Sequence, residues 1–243
     1  MANINDRGTM TMKLKSIMGA ALAAGTLALA PAQAANMFDG FDGNGGPNSS
    51  VWETANWHNG DIFGCAFAYS EVWKTGWGAL HLNVNGGTRK CAEVRTWQSF
   101  RYGKFVTRLQ PGTIAGGNSS FFLYTGNAGT SNHYEIDLEF INSGRTLHTN
   151  VGVAGRQNYQ QYSIGTGWRT IGFEWRPGFV RFFHVNSAGQ EQEFRRVNVS
   201  ISASMRLMMN HWVGDNSAAA RNFVGTYYGG GGPAYYDWVR VSD

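Results

Sequence analysis

The sequence predicts an all-β protein, a single-domain sandwich of the jelly-roll kind. Three observations predict it. Apolar residues recur at every second position in many short runs, which is the period of a half-buried strand. Clusters of Gly, Asn and Pro break these runs at short spacing, as turns between antiparallel strands do. Beyond the N-terminal leader, no convincing 3.6-residue apolar period appears, so helices are not expected to shape the fold.

Taken in order, Phe38 to Pro47 is a Gly- and Asn-rich loop or ragged start, and Val51 to Trp57 carries Trp52 and Trp57. After the turn signal His58-Asn59-Gly60-Asp61, strands are expected over Ile62 to Tyr69, Ala79 to Val84, Cys91 to Thr96 and Tyr102 to Leu109. Pro111-Gly112 ends the last of these. Further strands are expected over Ser119 to Thr125, Tyr134 to Phe140 and Thr146 to Val153. Ile171 to Trp175 and Val180 to Val185 flank Arg176-Pro177-Gly178, which reads as a hairpin. Glu191 to Val197, Met205 to Val213 and Ala234 to Val241 complete the set. No linker, second composition regime or internal repeat divides the 243 residues.

Charged residues are only 15%, aromatic residues reach 14%, and there are 33 Gly and 9 Trp. This composition excludes disorder and suits a sandwich with long loops and with rings for stacking on sugars. The formal charge is +4. Arg7, Lys13 and Lys15 against Asp6 account for two of these charges, and the remainder is too scattered for a nucleic-acid or membrane surface. Residues 1–34 read as a secretory signal, with residues 1–11 as an upstream extension. Lys13 and Lys15 form the basic region, Ile17 to Ala30 the apolar region, and Ala32-Gln33-Ala34 the cleavage site. The domain is then residues 35–243 of an exported protein. In that setting Cys65 and Cys91 read first as a disulfide, with two buried thiols as the alternative.

The stretch Tyr134-Glu135-Ile136-Asp137-Leu138-Glu139-Phe140 alternates without a break. Ile136, Leu138 and Phe140 share one face, and Glu135, Asp137 and Glu139 share the other, with neighbouring Cα atoms roughly 6.6 Å apart. Three like charges so close repel, so at least one carboxyl should keep its proton to higher pH. The bland reading is an exposed acidic strand, possible also as a metal site. The chemical reading is a glycosidase, in which one carboxylate attacks the sugar and another protonates the leaving oxygen. The six histidines show no paired ligand spacing for zinc, and neither a G-x-S-x-G elbow nor a phosphate-cradling glycine loop is present.

Glu135-Ile136-Asp137-Leu138-Glu139-Phe140 resembles the E-I-D-[IL]-E-F signature of glycoside hydrolase family 16, and in particular that of the bacterial licheninases. Four more segments resemble that pattern in the same order. They are Cys91-Ala92-Glu93-Val94-Arg95, Ser119 to Gly126, Phe173-Glu174-Trp175-Arg176-Pro177 and Met208-Met209-Asn210-His211-Trp212. The resemblance implies a curved, concanavalin A-like sandwich with a cleft across one sheet. It implies Glu135 as nucleophile, Glu139 as the acid that becomes the base, and Asp137 between them, hydrogen-bonded to the nucleophile. It places Asn59, Glu93, Arg95, Phe122, Tyr124, Asn150, Asn210 and Trp212 along the sugar-donor side of the cleft, and pairs Cys65 with Cys91. Each has a plainer alternative: Phe122 as core, Glu93 with Arg95 as a simple ion pair, Trp212 as a cap on the sandwich.

The resemblance requires no cofactor, but implies a structural calcium at which Asp237 could be a ligand. It departs in two places. His133 stands where the licheninase pattern has a Trp that stacks on a sugar, and Val151-Gly152-Val153 replaces aromatic residues. The expectation is a secreted, monomeric, retaining endo-β-glucanase acting on mixed-linkage β-1,3-1,4-glucan. A β-1,3-glucan, a bacterial exopolysaccharide, a transglycosylase and a non-catalytic lectin stay open as alternatives.

Overall fold

The computed structural model describes residues 36–243, so the expected leader and its extension lie outside the described residues. From the N-terminus the strands are β1 (Met37–Asp39), β2 (Asn44–Gly45), β3 (Trp52–Thr54), β4 (Ala66–Phe67), β5 (Val72–Thr75) and β6 (Leu80–Val84). Then come β7 (Lys90–Phe100), β8 (Gly103–Gln110), β9 (Gly117–Thr125), β10 (Tyr134–Ile141), β11 (Thr146–Val153) and β12 (Arg156–Ser163). The last are β13 (Arg169–Arg176), β14 (Phe179–Val185), β15 (Glu191–Asn198), β16 (Met205–Val213) and β17 (Gly232–Ser242), with one helix, α1 (Ala218–Val224), before β17.

These form two sheets, antiparallel apart from a short parallel pairing of β4 with β7. The first sheet runs β15-β14-β13-β8-β17-β6-β5-β2, with β1 also on β17. The second runs β12-β11-β10-β9-β16-β7-β3. The chain crosses between sheets after β2, β4, β6, β7, β8, β12, β15 and β16, so neighbours in space are often distant in sequence. This is the jelly-roll sandwich that the alternation predicts.

The core lies between the sheets and takes one parity of each strand. The second sheet contributes Ile136, Leu138 and Phe140 of β10, Phe121 and Leu123 of β9, and Leu207 and Met209 of β16. The first answers with Ile171, Phe173 and Trp175 of β13, and Phe105 and Leu109 of β8. Phe173 ties the layers together, with ring centroids 5.2 Å from Phe105 in its own sheet and 5.7 Å from Phe121 opposite. Truncating such a ring to Ala typically costs about 3–5 kcal/mol. Because this parity is spent on the core, the other parity of β10 must face outward.

Most expected strands form, and Arg176 to Gly178 turns the β13–β14 hairpin as predicted. Three corrections have physical causes. The expected strand over Ile62 to Tyr69 shrinks to Ala66–Phe67. There the chain crosses the end of β16, where Gly64 N–H donates to Val213 O at 2.8 Å and a Cβ on Gly64 would stand 2.3 Å from Gly214 O. Strand β12 was not expected, because at the sheet edge it is exposed almost throughout and shows no apolar alternation. Helix α1 is two turns long, too short for a period to register, although Ser217 caps its start by accepting from Ala220 N–H and Gly225 ends it.

Cys65 and Cys91 form the disulfide, with Cα atoms 5.8 Å apart. It fastens the loop before β4 to the start of β7, on the side where the second sheet is open.

Candidate active site

On the open face of the second sheet, strand register sets side chains in rows. Asp137 of β10 lies opposite Asn150 of β11 on one side and Phe122 of β9 on the other. Phe122 continues the row to Met208 of β16, and Met208 to Arg95 of β7. The next row runs from His148 through Glu139 and Ser120 to Asn210 and Glu93. On the other flank Glu135 lies between Gly152 and Tyr124. Five strands thus gather residues separated by more than a hundred positions, and all eleven expected catalytic and sugar-binding residues line one cleft of about 640 Å³.

Asn150 organises the acids. Its Oδ1 accepts from Asn158 backbone N–H at 3.1 Å, which fixes the amide so that Nδ2 faces the cleft. Nδ2 lies 2.9 Å from Glu135 Oε1, 2.9 Å from Asp137 Oδ2 and 2.6 Å from Gln157 Oε1. Asp137 therefore meets Glu135 through a shared donor, where the resemblance implies a direct bond. Reaching Asn150, which lies in Asp137's row, means that Glu135 leans toward the middle of the strand.

Glu139 is held differently. Its Oε1 accepts from Asn118 Nδ2 at 2.8 Å, and its Oε2 lies 3.9 Å from His148 Nε2. Burial pushes the Glu139 carboxyl up to about 8, against the lowering effect of the Asn118 bond, and the charge on Glu135 adds to the rise. Burial likewise holds Asp137 well above the usual carboxylate range, with Glu135 and Glu139 adding repulsion. His148 goes the opposite way, down to about 4, first from burial and then from the positive charge of Arg195. It is thus a neutral neighbour to Glu139 near pH 7.

At the far side, Arg95 pairs with Glu53 of β3 (Nε–Oε2 2.7 Å, Nη2–Oε1 3.1 Å) and lies over the Trp57 ring at 4.4 Å. Arg95 thus bonds to Glu53, where the plainer reading made a simple ion pair of Glu93 with Arg95. Glu93 instead accepts from Asn210 Nδ2 at 3.1 Å, and burial raises it to about 7. Phe122 sits on the cleft face while its neighbours Phe121 and Leu123 fill the core. Trp212 is 3% exposed and packs 4.4 Å from Phe63, so it serves the wall as much as the surface. Asn59 lies exposed at the rim.

The pattern described as "Glycosyl hydrolases family 16" matches residues 50–239. The chain belongs to this family. It is a glycoside hydrolase. It is 31% identical over 208 residues to a β-glucanase of Paenibacillus macerans, covering 80% of this chain and 84% of the relative. A β-glucanase of Bacillus subtilis is 29% identical over 227 residues, covering 88% and 90%. The structure of a Bacillus licheniformis β-glucanase superposes with a TM-score of 0.74 at 26% identity, over 86% of this chain and 98% of that one.

Sequence reasoning about this glycoside hydrolase gave several cleft residues no role. His133 appeared only as a departure, and Asn118, buried beneath the cleft and bonded to Glu139, had no role either. Gln157 and Tyr159 come from the unexpected β12, and Phe223 from the unexpected α1. A signal for Asn118 existed: it shares parity with Ser120, Phe122 and Tyr124. Asp237, the residue that the resemblance offers to a calcium, accepts at Oδ2 from Arg108 Nη1. Among the described residues no three His, Cys, Asp or Glu side chains gather as metal ligands.

Proposed function

We propose that the protein is a secreted, monomeric, retaining endo-β-glucanase that cleaves mixed-linkage β-1,3-1,4-glucan, with Glu135 as nucleophile and Glu139 as acid and base. The observation that carries this reading is the difference between the two glutamates. Glu139 is pushed up to about 8 and so holds its proton at neutral pH, whereas Glu135 is addressed by side-chain donors on both oxygens.

In the first step a Glu135 oxygen attacks the anomeric carbon, the glycosidic C–O bond breaks, and the leaving oxygen takes the proton of Glu139. Forming the ester removes the negative charge of Glu135. That charge is one cause of the raised Glu139 pKa, so its loss favours the Glu139 carboxylate just when a base is needed. Water then gives a proton to Glu139 and its oxygen to the anomeric carbon, and the Glu135 carboxylate leaves. Retention calls for carboxyl groups about 5–5.5 Å apart. Glu135 already leans inward to Asn150, and the mechanism requires the Glu139 side chain to turn from Asn118 toward it.

The substrate reading draws on the licheninase-like segments and on the β-glucanase relatives. The lost aromatic rings at His133 and Val151 to Val153 favour a second reading, a β-1,3-glucan or substituted exopolysaccharide processed by the same chemistry. Product analysis on mixed-linkage β-glucan, laminarin, carboxymethylcellulose and xyloglucan, with wild type and Glu135→Gln, tests both. Short oligosaccharides from mixed-linkage glucan, released first as the β-anomer and absent with the variant, are expected. Release from laminarin alone would move the substrate and keep the mechanism; undiminished release by Glu135→Gln would overturn the nucleophile.

A further inference from the structure

The turn between β9 and β10 is built with more care than a hairpin needs. Gly126 has φ 85°, and a Cβ there would stand 1.9 Å from Asn132 O, so only glycine fits. Asn132 Oδ1 accepts from Asn127 N–H at 3.1 Å and from the Thr130 hydroxyl, and that hydroxyl also lies 2.6 Å from Asn127 O. Thr130 O accepts from His133 N–H at 3.1 Å, and His133 O accepts from Gly155 N–H at 3.1 Å. The backbone on either side of the His133 ring is therefore fixed.

The ring is fixed as well. It is 4% exposed, with the Tyr124 ring 5.0 Å away. Gly129 backbone N–H points at its Nδ1 at 3.2 Å. A backbone N–H can only donate, so Nδ1 accepts and the ring proton sits on Nε2. Nε2 lies 2.9 Å from Glu135 Oε2, so Nε2–H donates to the carboxylate. Asn150 Nδ2 donates to the other oxygen, Oε1, at 2.9 Å. With one donor on each oxygen, the plane of the carboxylate is set from the β9–β10 turn on one side and from β11 on the other.

We propose that His133 is a positioning residue for Glu135, holding Oε2 through Nε2–H while the Gly126–Asn132 turn locks the tautomer. The inference rests on Glu135 being the nucleophile. In place of a ring that stacks on a sugar, the chain uses a ring that aims the attacking group. Whichever oxygen attacks, the other keeps a donor as the ester forms, and the carboxylate does not have to find its orientation at each turnover.

The test combines a spectroscopic and a kinetic reading. Ring-¹⁵N correlation spectra of the folded protein should show the Nε2–H tautomer for His133, with a changed proton shift in Glu135→Gln. With mixed-linkage β-glucan, His133→Ala should lower kcat about 10- to 100-fold, the loss expected for one hydrogen bond to a charged group, with KM within about threefold and a cooperative melt. His133→Gln, which keeps an Nε2–H donor and an acceptor, should recover most of that loss. An Nδ1–H tautomer, a His133→Ala kcat within twofold of wild type, or a Gln variant as slow as Ala would each overturn the proposal. If Glu135→Gln keeps its activity, the nucleophile assignment fails instead, and the tautomer reading separates the two failures.

Discussion

Asn118 donates its side-chain amide to Glu139 at 2.8 Å and draws that carboxyl toward Trp212's row, away from Asp137. The bond favours the Glu139 anion, so it moderates the effect of burial. Asn118→Ala should therefore keep Glu139 protonated to higher pH. The alkaline limb of the activity profile should rise by about half a pH unit or more, since a hydrogen bond contributes about 0.5–1.5 kcal/mol. An unmoved limb would show that the bond does not act on the acid during turnover.

Glu139→Gln should separate catalysis from stability. The folded-state pKa of about 8 lies above the ordinary 4.5, so the folded protein holds a proton that the unfolded chain releases between those values. The contribution of Glu139 to stability is thus greatest below pH 4.5 and falls as pH rises toward 8. The variant removes this loss. It should melt with wild type at pH 4 and later than wild type at pH 8, by a few kcal/mol at most. Activity should drop about 10²–10⁴-fold, the usual contribution of a general acid. Calorimetry at the two pH values checks it; an equal difference at both would refute the buried-acid account.

His211 gives the opposite slope. It is fully buried on the core side of β16, its Nδ1 2.8 Å from Asn118 O and 3.0 Å from Ser119 Oγ, and burial holds it down to about 4. The unfolded chain takes up a proton below about 6.5 that the fold refuses, so stability is lost as pH falls from 6.5 to 4. In His211→Leu this fall should flatten, with a constant cost from the unpaired Asn118 carbonyl. His148 carries the same sign and should leave a residual slope. Urea midpoints across pH 4–7 give the comparison, and an unchanged slope would place the acid sensitivity elsewhere.

The Cys65–Cys91 bond closes a loop of 26 residues. Replacing both by Ala should reduce stability by about 3–4 kcal/mol on the chain-entropy estimate. A reductant should lower the wild-type urea midpoint similarly and leave the double variant's midpoint alone.

The sandwich was legible because burial of one face writes a period of two into a sequence. Ile136-Asp137-Leu138-Glu139-Phe140 states both the core and the acids in one run. What escaped lacks that contrast. Strand β12 buries neither face, α1 is shorter than its own period, and Ile62 to Tyr69 looks strand-like but is bent across the end of β16. Within the site, sequence gave residues and their faces, and the resemblance gave roles. Neither could give partners such as Glu53 for Arg95, Asn210 for Glu93 or Asn118 for Glu139. Each arises from register between paired strands, in the first two cases strands far apart in the chain.

Asn150 has two amide hydrogens and three oxygens within reach, on Glu135, Asp137 and Gln157. Burial, with Glu135 and Glu139 beside it, holds Asp137 well above the usual carboxylate range and so favours the form that brings a hydrogen of its own to this shortage. Glu139 near 8 keeps another. The strand written as three negative charges thus presents fewer than three at neutral pH. The floor of the cleft carries less charge and more hydrogen than its sequence suggests, which suits a polymer of uncharged hydroxyls, and binding there should change little between low and high ionic strength.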